Sequence, residues 1–383
     1  MIGVVCLNPA LDVTHHVPAV DWAGVNRPSA VHARPGGKGL NVARTLRALG
    51  AEVLVMGLVG GTTGEAVTAE LAALAVPAAF TWVRGETRRT FTVVDGRTGT
   101  AALFSEPGPR IAADGYAEFC DRYTSLLAGC GAVVMSGSLP PGLPPGTYAE
   151  LIAMAAAAGV PVLLDAHGEA LRLGAAAGPD IVKPNLAELE AFAGRPLSGP
   201  AGSGPAGSGP AGSGPGGSGP AGSGPGGSGL AGPGRAGSGS GGSGRVRVDR
   251  QAVAAAAQEL RAAGPAAVVV SLGADGLHAD TREGCWQAVP PTVVAGNATG
   301  AGDAAAAGLA HALALGHPWD ERLRHAVALG TAAALAPVAG EFSPADYATV
   351  RAGVTVTRGK SRVAGDGAAA AMDRGAVARR EAC

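Results

Sequence analysis

The sequence predicts an α/β fold: a doubly wound, mostly parallel sheet with helices on both faces and a small β lid. Three observations support it. Short, continuously apolar runs at 2–7, 53–56, 133–135, 161–164 and 267–271 have the pattern of strands buried on both faces. Segments of helical character, several closed by glycine, separate these runs. Several runs end in a polar residue, at the carboxyl edge where open α/β sheets take their ligands.

Composition agrees. A length of 383 residues suits one large α/β domain or two small ones, and 47% hydrophobic residues supply its core. With aromatics at only 4%, that core is built from Ala, Val and Leu. Basic and acidic residues number 29 and 30, a net charge of −1, which gives no footprint for nucleic acid or an acidic membrane. The 5 cysteines are scattered without a CxxC pair, which argues for a reducing compartment and against a metal cluster or disulfide framework. No apolar run is long enough to span a bilayer, and the first residues lack the basic region of a signal peptide. The expected location is cytoplasmic. Lysine stands only at Lys38, Lys183 and Lys360, and asparagine only at Asn8, Asn26, Asn41, Asn185 and Asn297. In an arginine-rich chain, such survivors mark places where a compact point charge is wanted rather than a planar fork.

The first apolar run ends in Asn8-Pro9-Ala10-Leu11-Asp12, which places an acid just past the strand's carboxyl end. Asp12 is either a ligand-facing acid or a plain turn residue. Residues 13–34 alternate weakly and read as short strands outside the main layer, the start of the lid. His15 and His16 would face opposite sides there, which excludes a paired metal site. Glycines 36, 37 and 39 then open a helix running to about Ala48, with Lys38 and Asn41 in its first turn. The spacing is not that of a Walker A loop. A second helix follows the strand at 53–56 and reaches about Leu74. Strand-like 81–83 and 90–94 bracket Gly85-Glu86-Thr87-Arg88-Arg89, where paired arginines either grip a phosphate or face solvent.

The run at 133–135 ends in Ser136-Gly137-Ser138, and a helix from Tyr148 to Ala157 leads to a strand ending at Asp165. Ile181-Val182 ends in Lys183-Pro184-Asn185, with Asn185 and Glu188 sharing one face of the next helix. That pair is either a capping box or a holder of hydrated Mg²⁺ beside a phosphate site. From 198 to 244 the chain becomes a near-pentapeptide Ala-Gly-Ser-Gly-Pro repeat. Almost without apolar side chains, it cannot offset its ordering entropy and is expected to be a disordered insertion in a surface loop. A helix over 250–263 and the strand over 267–271 resume the fold, followed by Ser271-Leu272-Gly273-Ala274-Asp275-Gly276. Asn297-Ala298-Thr299-Gly300-Ala301-Gly302-Asp303 is a glycine turn feeding an alanine-rich helix to about Leu315. Its free amides form an anion site, with Asp303 as a base beside it or simply as a cap. One more helix spans 320–336, and the tail over 357–383 is expected to fray.

Taken together, the chain resembles the PfkB/ribokinase-type carbohydrate kinases. Residues 36–43 are similar to that family's N-terminal motif, Thr299-Gly300-Ala301-Gly302-Asp303 to its C-terminal motif, and Asn185-Leu186-Ala187-Glu188 to its magnesium motif. Residues 7–12, 25–27, 86–88, 106–109 and 136–142 resemble its phosphosugar branch, the 1-phosphofructokinases and tagatose-6-phosphate kinases. The departures are Thr90 where that branch usually has Asn, Thr299 where Val is common, and the uniform Ala304-Ala305-Ala306-Ala307. The resemblance implies ATP-dependent phosphorylation of a sugar phosphate, first of all fructose 1-phosphate, with tagatose 6-phosphate and fructose 6-phosphate as alternatives. A non-catalytic sugar-phosphate-binding regulator is the alternative of a different class. Under the resemblance Asp303 is the base, and the amides of Gly300, Ala301 and Gly302 receive the transferring phosphoryl group. Asp12, Gly37, Lys38, Asn41 and Ser138 hold the sugar, and Arg88 takes its existing phosphate with help from Arg27 or Lys38. Lys183, Asn185, Ser271, Gly273 and Gly276 border the nucleotide, and Asn185 and Glu188 organise Mg²⁺ through water; a monovalent cation is a further expected cofactor. The expected partners are small molecules, with no nucleic acid and no membrane, and a second copy through the lid strands near 13–34 and 90–104. One unit, 1–197 plus 245–356, would carry all of this.

Overall fold

A computed structural model describes residues 1–199, 247–292, 299–336 and 340–359. The expected disordered insertion lies outside these residues except at its first two positions, as do Asn297 and the tail beyond 359.

The strands are β1 (Ile2–Cys6), β2 (Ala10–Val17), β3 (Ala30–Gly36), β4 (Val53–Val59), β5 (Ala78–Trp82), β6 (Arg88–Asp95), β7 (Ala101–Ser105) and β8 (Ala132–Ser136). Then come β9 (Val162–Asp165), β10 (Ile181–Val182), β11 (Ser198–Gly199), β12 (Arg247–Val248), β13 (Ala267–Ser271), β14 (Leu277–Thr281), β15 (Gly284–Val289) and β16 (Thr355–Arg358). The helices are α1 (Lys38–Ala48), α2 (Gly61–Ala73), α3 (Ala113–Leu127), α4 (Thr147–Ala157) and α5 (Gly168–Ala176). They continue with α6 (Leu186–Ala193), α7 (Arg250–Ala262), α8 (Ala301–Ala314), α9 (Trp319–Leu335) and α10 (Pro344–Gly353).

A 10-stranded sheet runs in the order β16-β15-β14-β13-β10-β9-β8-β1-β4-β5. Its pairs from β5 to β13 are parallel, and β13 through β16 are antiparallel. Alternation along the strands divides the core. Val4, Val134, Leu163 and Val269 face α1, α2, α8, α9 and α10, whereas Val5, Val133, Leu164 and Val268 face α3 to α7. Both faces are covered, which is why the parallel strands read as unbroken apolar runs.

The lid is a separate 4-stranded sheet, β3-β2-β6-β7, close to the expected strands. Arg88 and Arg89 do not lie in a turn between strands; they begin β6, paired with Ala10 and Leu11. Thr87 brings the chain in, its hydroxyl accepting the Gly60 amide at 2.9 Å, so the turn is already over at Arg88. The tail also starts later than expected. Thr355–Arg358 pairs antiparallel with β15, and the Arg358 guanidinium lies 5.1 Å from the centre of the Trp286 ring. At the insertion, Ser198 and Gly199 pair with Val248 and Arg247, so the chain leaves and re-enters the fold through adjacent strands.

Helix α8 packs unusually close to its neighbours. Ala304 to Ala307 are all buried, and a Cβ at Gly308 would lie 2.9 Å from the backbone of Ala326 on α9. Within the uniform alanine run that departs from the family pattern, Ala304 clusters with Leu329 and Ala333 of α9, and a Cβ at Gly330 would lie 3.4 Å from that of Ala305.

Candidate active site

The polar ends of β1, β8, β9, β10 and β13 and the amino end of α8 converge at one edge of the sheet. Gly300 caps α8 with φ 81°, a left-handed conformation that glycine adopts without strain, and no side chain caps this turn. The Ala304 amide closes on the Gly300 carbonyl at 2.9 Å. By helix geometry the amides of Gly300, Ala301, Gly302 and Asp303 have no partner within the helix, which takes in the expected trio. They leave an anion cradle at the positive end of the helix.

Asp303 is buried at 7% exposure, and the Asn41 side-chain amide donates to its Oδ2 at 2.9 Å. Burial pushes the Asp303 carboxyl up to about 7, and repulsion from Asp165 adds to that; Asn41, Lys183 and Lys38 pull the other way. A carboxylate poised near neutrality suits a proton acceptor. Asn41, expected on the sugar, orients the acid in this structure.

Asp165, which ends β9 at 1% exposure, gathers both site lysines. Lys38 Nζ lies 3.2 Å from Asp165 Oδ1 and 3.2 Å from Glu188 Oε1, and Lys183 Nζ lies 3.2 Å from Asp165 Oδ2. The last contact is a charge contact without hydrogen-bond alignment, since Oδ2 has no donor aimed at it. Lys38, expected on the sugar, thus has its ammonium held by two carboxylates. Burial would lower its proton affinity, but Asp165, Glu188 and Asp303 outweigh it and hold Lys38 above the ordinary lysine range. A Cβ at Gly302 would be 3.8 Å from Lys183 Nζ, so the second ammonium stands over the α8 amides.

Asn185 and Glu188 form a complete capping box: the Glu188 amide donates to Asn185 Oδ1 at 2.8 Å, and the Asn185 amide to Glu188 Oε2 at 2.9 Å. Among the described residues no three His, Cys, Asp or Glu side chains come together as metal ligands. Any divalent ion here would lean on substrate phosphates and water. The donor chemistry fits Mg²⁺, because Asp165 and Glu188 present hard oxygens to the same ammonium beside an anion cradle.

On the lid side, a Cβ at Gly36 would collide with the Asp12 carboxyl, 1.9 Å from its Oδ2, so only glycine lets this acid lie across the β3–α1 turn. Burial raises the Asp12 carboxyl, opposed by a hydrogen bond from Thr90, the charges of Arg88 and Arg44 and the Gly37 amide. Arg88 donates to the Asn8 carbonyl at 3.1 Å and to Ser105 Oγ at 2.8 Å, and its Nη2 would lie 3.6 Å from a Cβ at Gly37. Asn8 donates in turn to Ser138 Oγ at 3.2 Å and to the Pro107 carbonyl at 3.1 Å. Asp12, Gly37, Arg88 and Ser138 are therefore brought together. Arg27 is not: it stands on the exposed β2–β3 connection without a hydrogen bond or ion pair among the described residues.

Across α8 lies a cleft of about 620 Å³. Asn185, Ser271, Gly273 and Gly276 line one wall, as expected, and Val327 and Gly330 of α9 line another. Gly276, with φ 82°, has no room for a side chain, since a Cβ would meet the Ala288 carbonyl at 2.0 Å. Lys183 is not on this wall but beneath it, at 3% exposure. Two contributions escaped the sequence. Asp165 is a single acid with no local pattern around it. The α9 wall had a faint signal, small residues at 326, 330, 331 and 334 recurring on one helical face.

A model of the pfkB family carbohydrate kinases matches residues 4–211 and 240–346. The chain is similar to phosphofructokinase-2 from Escherichia coli in complex with potassium, at 29% identity over 92% of this chain and 98% of that one, with a TM-score of 0.75. The structure of phosphofructokinase-2 in complex with fructose-6-phosphate matches at 29% identity, with the same 92% and 98% covered and a TM-score of 0.73. A possible 1-phosphofructokinase from Thermotoga maritima shares the fold at 24% identity, 94% of this chain and 100% of its own, with a TM-score of 0.72. No helix among the described residues is long and apolar enough to cross a membrane.

Proposed function

The chain belongs to the pfkB family of carbohydrate kinases, and from that premise we propose that it moves the γ-phosphoryl group of ATP onto a sugar phosphate, fructose 1-phosphate foremost. The observation that carries the proposal is the buried Asp303 at the open amide turn of α8, bound to Asn41 of α1 and following Ala301 and Gly302, which line the large cleft. Phosphoryl transfer asks a protein for positioning, charge neutralisation and a proton acceptor. Each has a candidate here.

The nucleotide enters the cleft with its base between Gly276 and the small residues of α9, which leaves its phosphates over α8. The amides of Gly300, Ala301 and Gly302, joined by that of Asp303, and the Lys183 ammonium neutralise the moving group. Asp12 holds the sugar through its hydroxyls, and Arg88 takes the phosphate already on it. Asp303, held by Asn41, accepts the proton of the attacking hydroxyl. Asn185 and Glu188 would hold Mg²⁺ through water, and the ion would supply positive charge against the phosphates. Closure of the lid sheet excludes water and limits wasteful hydrolysis of ATP.

A homodimer through the lid belongs to the same proposal. Register places Val13, His15, Val31, Phe91 and Phe104 on the face opposite Asp12 and Thr90, with Val31 and Phe104 more than half exposed.

Fructose 6-phosphate is the second candidate acceptor, favoured by the similarity to phosphofructokinase-2 in complex with that sugar. The deciding experiment is an ATP-coupled assay against fructose 1-phosphate, fructose 6-phosphate, tagatose 6-phosphate and fructose. The expected order puts fructose 1-phosphate first in kcat/KM. A clear lead for either 6-phosphate replaces that choice, and a lead for fructose removes the phosphosugar assignment.

A further inference from the structure

Glu341 takes no part in phosphoryl transfer as proposed, yet it joins the lid to the surroundings of the base. It stands just ahead of α10, and its Oε1 accepts from two guanidinium groups at once. Arg34 of β3, in the lid, reaches it with Nη1 at 2.5 Å, and Arg44 of α1, in the body, with Nη2 at 3.3 Å. Arg34 lies opposite Asp12 in the β2–β3 register, so its side chain leaves the lid on the face that carries the proposed sugar-binding acid. We propose that Glu341 is a positioning residue, a latch that fastens the lid strand to the helix whose Asn41 holds Asp303.

The backbone on either side of Glu341 carries the tie inward. Gly340 has φ 77°, and a Cβ there would lie 3.3 Å from Asn41 Oδ1, so the chain runs against the side chain that donates to Asp303 at 2.9 Å. The Thr45 hydroxyl donates to the Gly340 carbonyl at 3.4 Å. Phe342 packs against the cluster of Ala304, Leu329 and Ala333, which starts at the residue after the base. Residues 340–342 thus touch the lid, α1, α8 and α9. An isolated surface ion pair contributes little. This acid is shared with Arg44, which is 8% exposed and whose other hydrogen bond goes to the Pro35 carbonyl at 3.5 Å, so losing the carboxylate would leave a buried cation without a counter-charge at that position. The Arg34 side of the pair is open to solvent, with side chains 38% and 47% exposed. Arg44 therefore keeps the acid in place while Arg34 engages or releases it as the lid moves.

The inference rests on the kinase reading with a closing lid, and the test separates the two. ATP lost to water and sugar phosphate phosphorylated are measured in the same reaction for the wild type, Glu341→Gln, Arg34→Gln and the double variant. Each single variant is expected to raise the ratio of hydrolysis to transfer, and KM for the sugar phosphate, by about 3- to 10-fold, the size of a charge-assisted hydrogen bond partly open to solvent. A lid held less firmly admits water to the phosphoryl group. The double variant should be no worse than Glu341→Gln, because both substitutions remove one contact. A merely structural role would lower the melting temperature and leave the ratio unmoved. An unmoved ratio in both single variants, or effects that multiply in the double one, overturns the latch, and transfer by the wild type then leaves the kinase reading standing. If Glu341→Gln fails to fold, as circular dichroism would show, an unmoved ratio in Arg34→Gln, which keeps the Glu341–Arg44 pair, overturns it instead. No transfer to any sugar phosphate by the wild type overturns the kinase reading and the latch with it.

Discussion

The carboxyl group of Asp303, the proposed base, is held at the expense of stability. Its proton affinity is raised to about 7 in the folded protein, mainly by burial, against an ordinary carboxyl value in the unfolded chain. Between roughly pH 4 and 7 the folded state therefore holds a proton that the unfolded state has released, so stability falls as pH rises through that window. Asp303→Asn is expected to melt at a higher temperature than the wild type at pH 8 and at nearly the same temperature at pH 4. Melting curves at the two values check this, and an equal difference at both would mean that ionisation is not the cause. Arg88 has a different signature. It is bound to Asn8 and Ser105 rather than to a carboxylate, so its charge is available to an anion. Arg88→Ala is expected to raise KM for the sugar phosphate by about 10- to 100-fold, with a smaller change in kcat. Steady-state kinetics decide it, and an unchanged KM moves the phosphate site elsewhere. At this scale the sequence was legible where a residue sits inside a patterned stretch, as Asp303, Asn185 and Gly37 do. It was illegible for Asp165, whose partners Lys38 and Lys183 become neighbours only when three elements meet. Arg27 shows the converse, a motif position that the fold leaves on an exposed loop.

The elements that matter most are α8 and α9, because one presents the proposed base and the other lines the cleft proposed for the nucleotide. Their contact depends on Gly308, where any side chain meets the Ala326 backbone. Gly308→Ala must push the helices apart and is expected to cost about 1–3 kcal/mol of stability. It should also raise KM for ATP more than KM for the sugar, because Ala326 and Val327 line the cleft. Denaturant unfolding and kinetics with each substrate varied test both parts. At the far end of the same pair, the ring centres of His311 and His317 lie 6.0 and 5.6 Å from that of His325, whose Nδ1 meets the Tyr347 hydroxyl at 2.7 Å. Burial, the Arg351 charge and the two other imidazoles push His325 down to about 4. The unfolded chain therefore binds protons that the folded one refuses, and stability is lost as pH falls from about 6.5 toward 4. His325→Gln is expected to reduce the drop in melting temperature between pH 7 and pH 5. Element types were legible where apolar runs were long, as in β1, β8 and β13. Short strands were legible between 277 and 294, but their antiparallel sense was not, and β16 is too short and exposed to stand out. Helix α3 carried a signal that went unused, Tyr116, Phe119, Tyr123 and Leu127 at helical spacing. Helix α5 carried almost none, being rich in glycine and alanine.

At the scale of the whole molecule, the sheet is a platform that brings distant segments to one edge, and the insertion interrupts it without disturbing that edge. Ser198–Gly199 and Arg247–Val248 already form an antiparallel pair, so a two-residue turn could join them. Replacing residues 200–246 by such a turn is expected to leave kcat and KM within about twofold, because loop-closure cost changes slowly with length. A large loss of kcat would assign the insertion a part in catalysis. The proposed kinase unit, 1–197 with 245–356, needs β16 as its last strand, so a truncation should fall after Arg358 rather than before Thr355. The overall plan was readable because most parallel strands announce themselves by an apolar run and most proposed ligand positions by a polar end. What remained hidden were contacts between elements far apart in the chain, such as Asn41 with Asp303. All of it converges on one acid at the start of α8. The most direct measurement is therefore the ATP-dependent turnover of a phosphosugar by the wild type and by Asp303→Asn, with the binding of both substrates measured in parallel. The expected result is turnover in the wild type and a loss of several orders of magnitude in the variant, with substrate affinities retained. Turnover by the variant close to that of the wild type, or no ATP-dependent phosphorylation of any sugar phosphate by the wild type, would contradict the account.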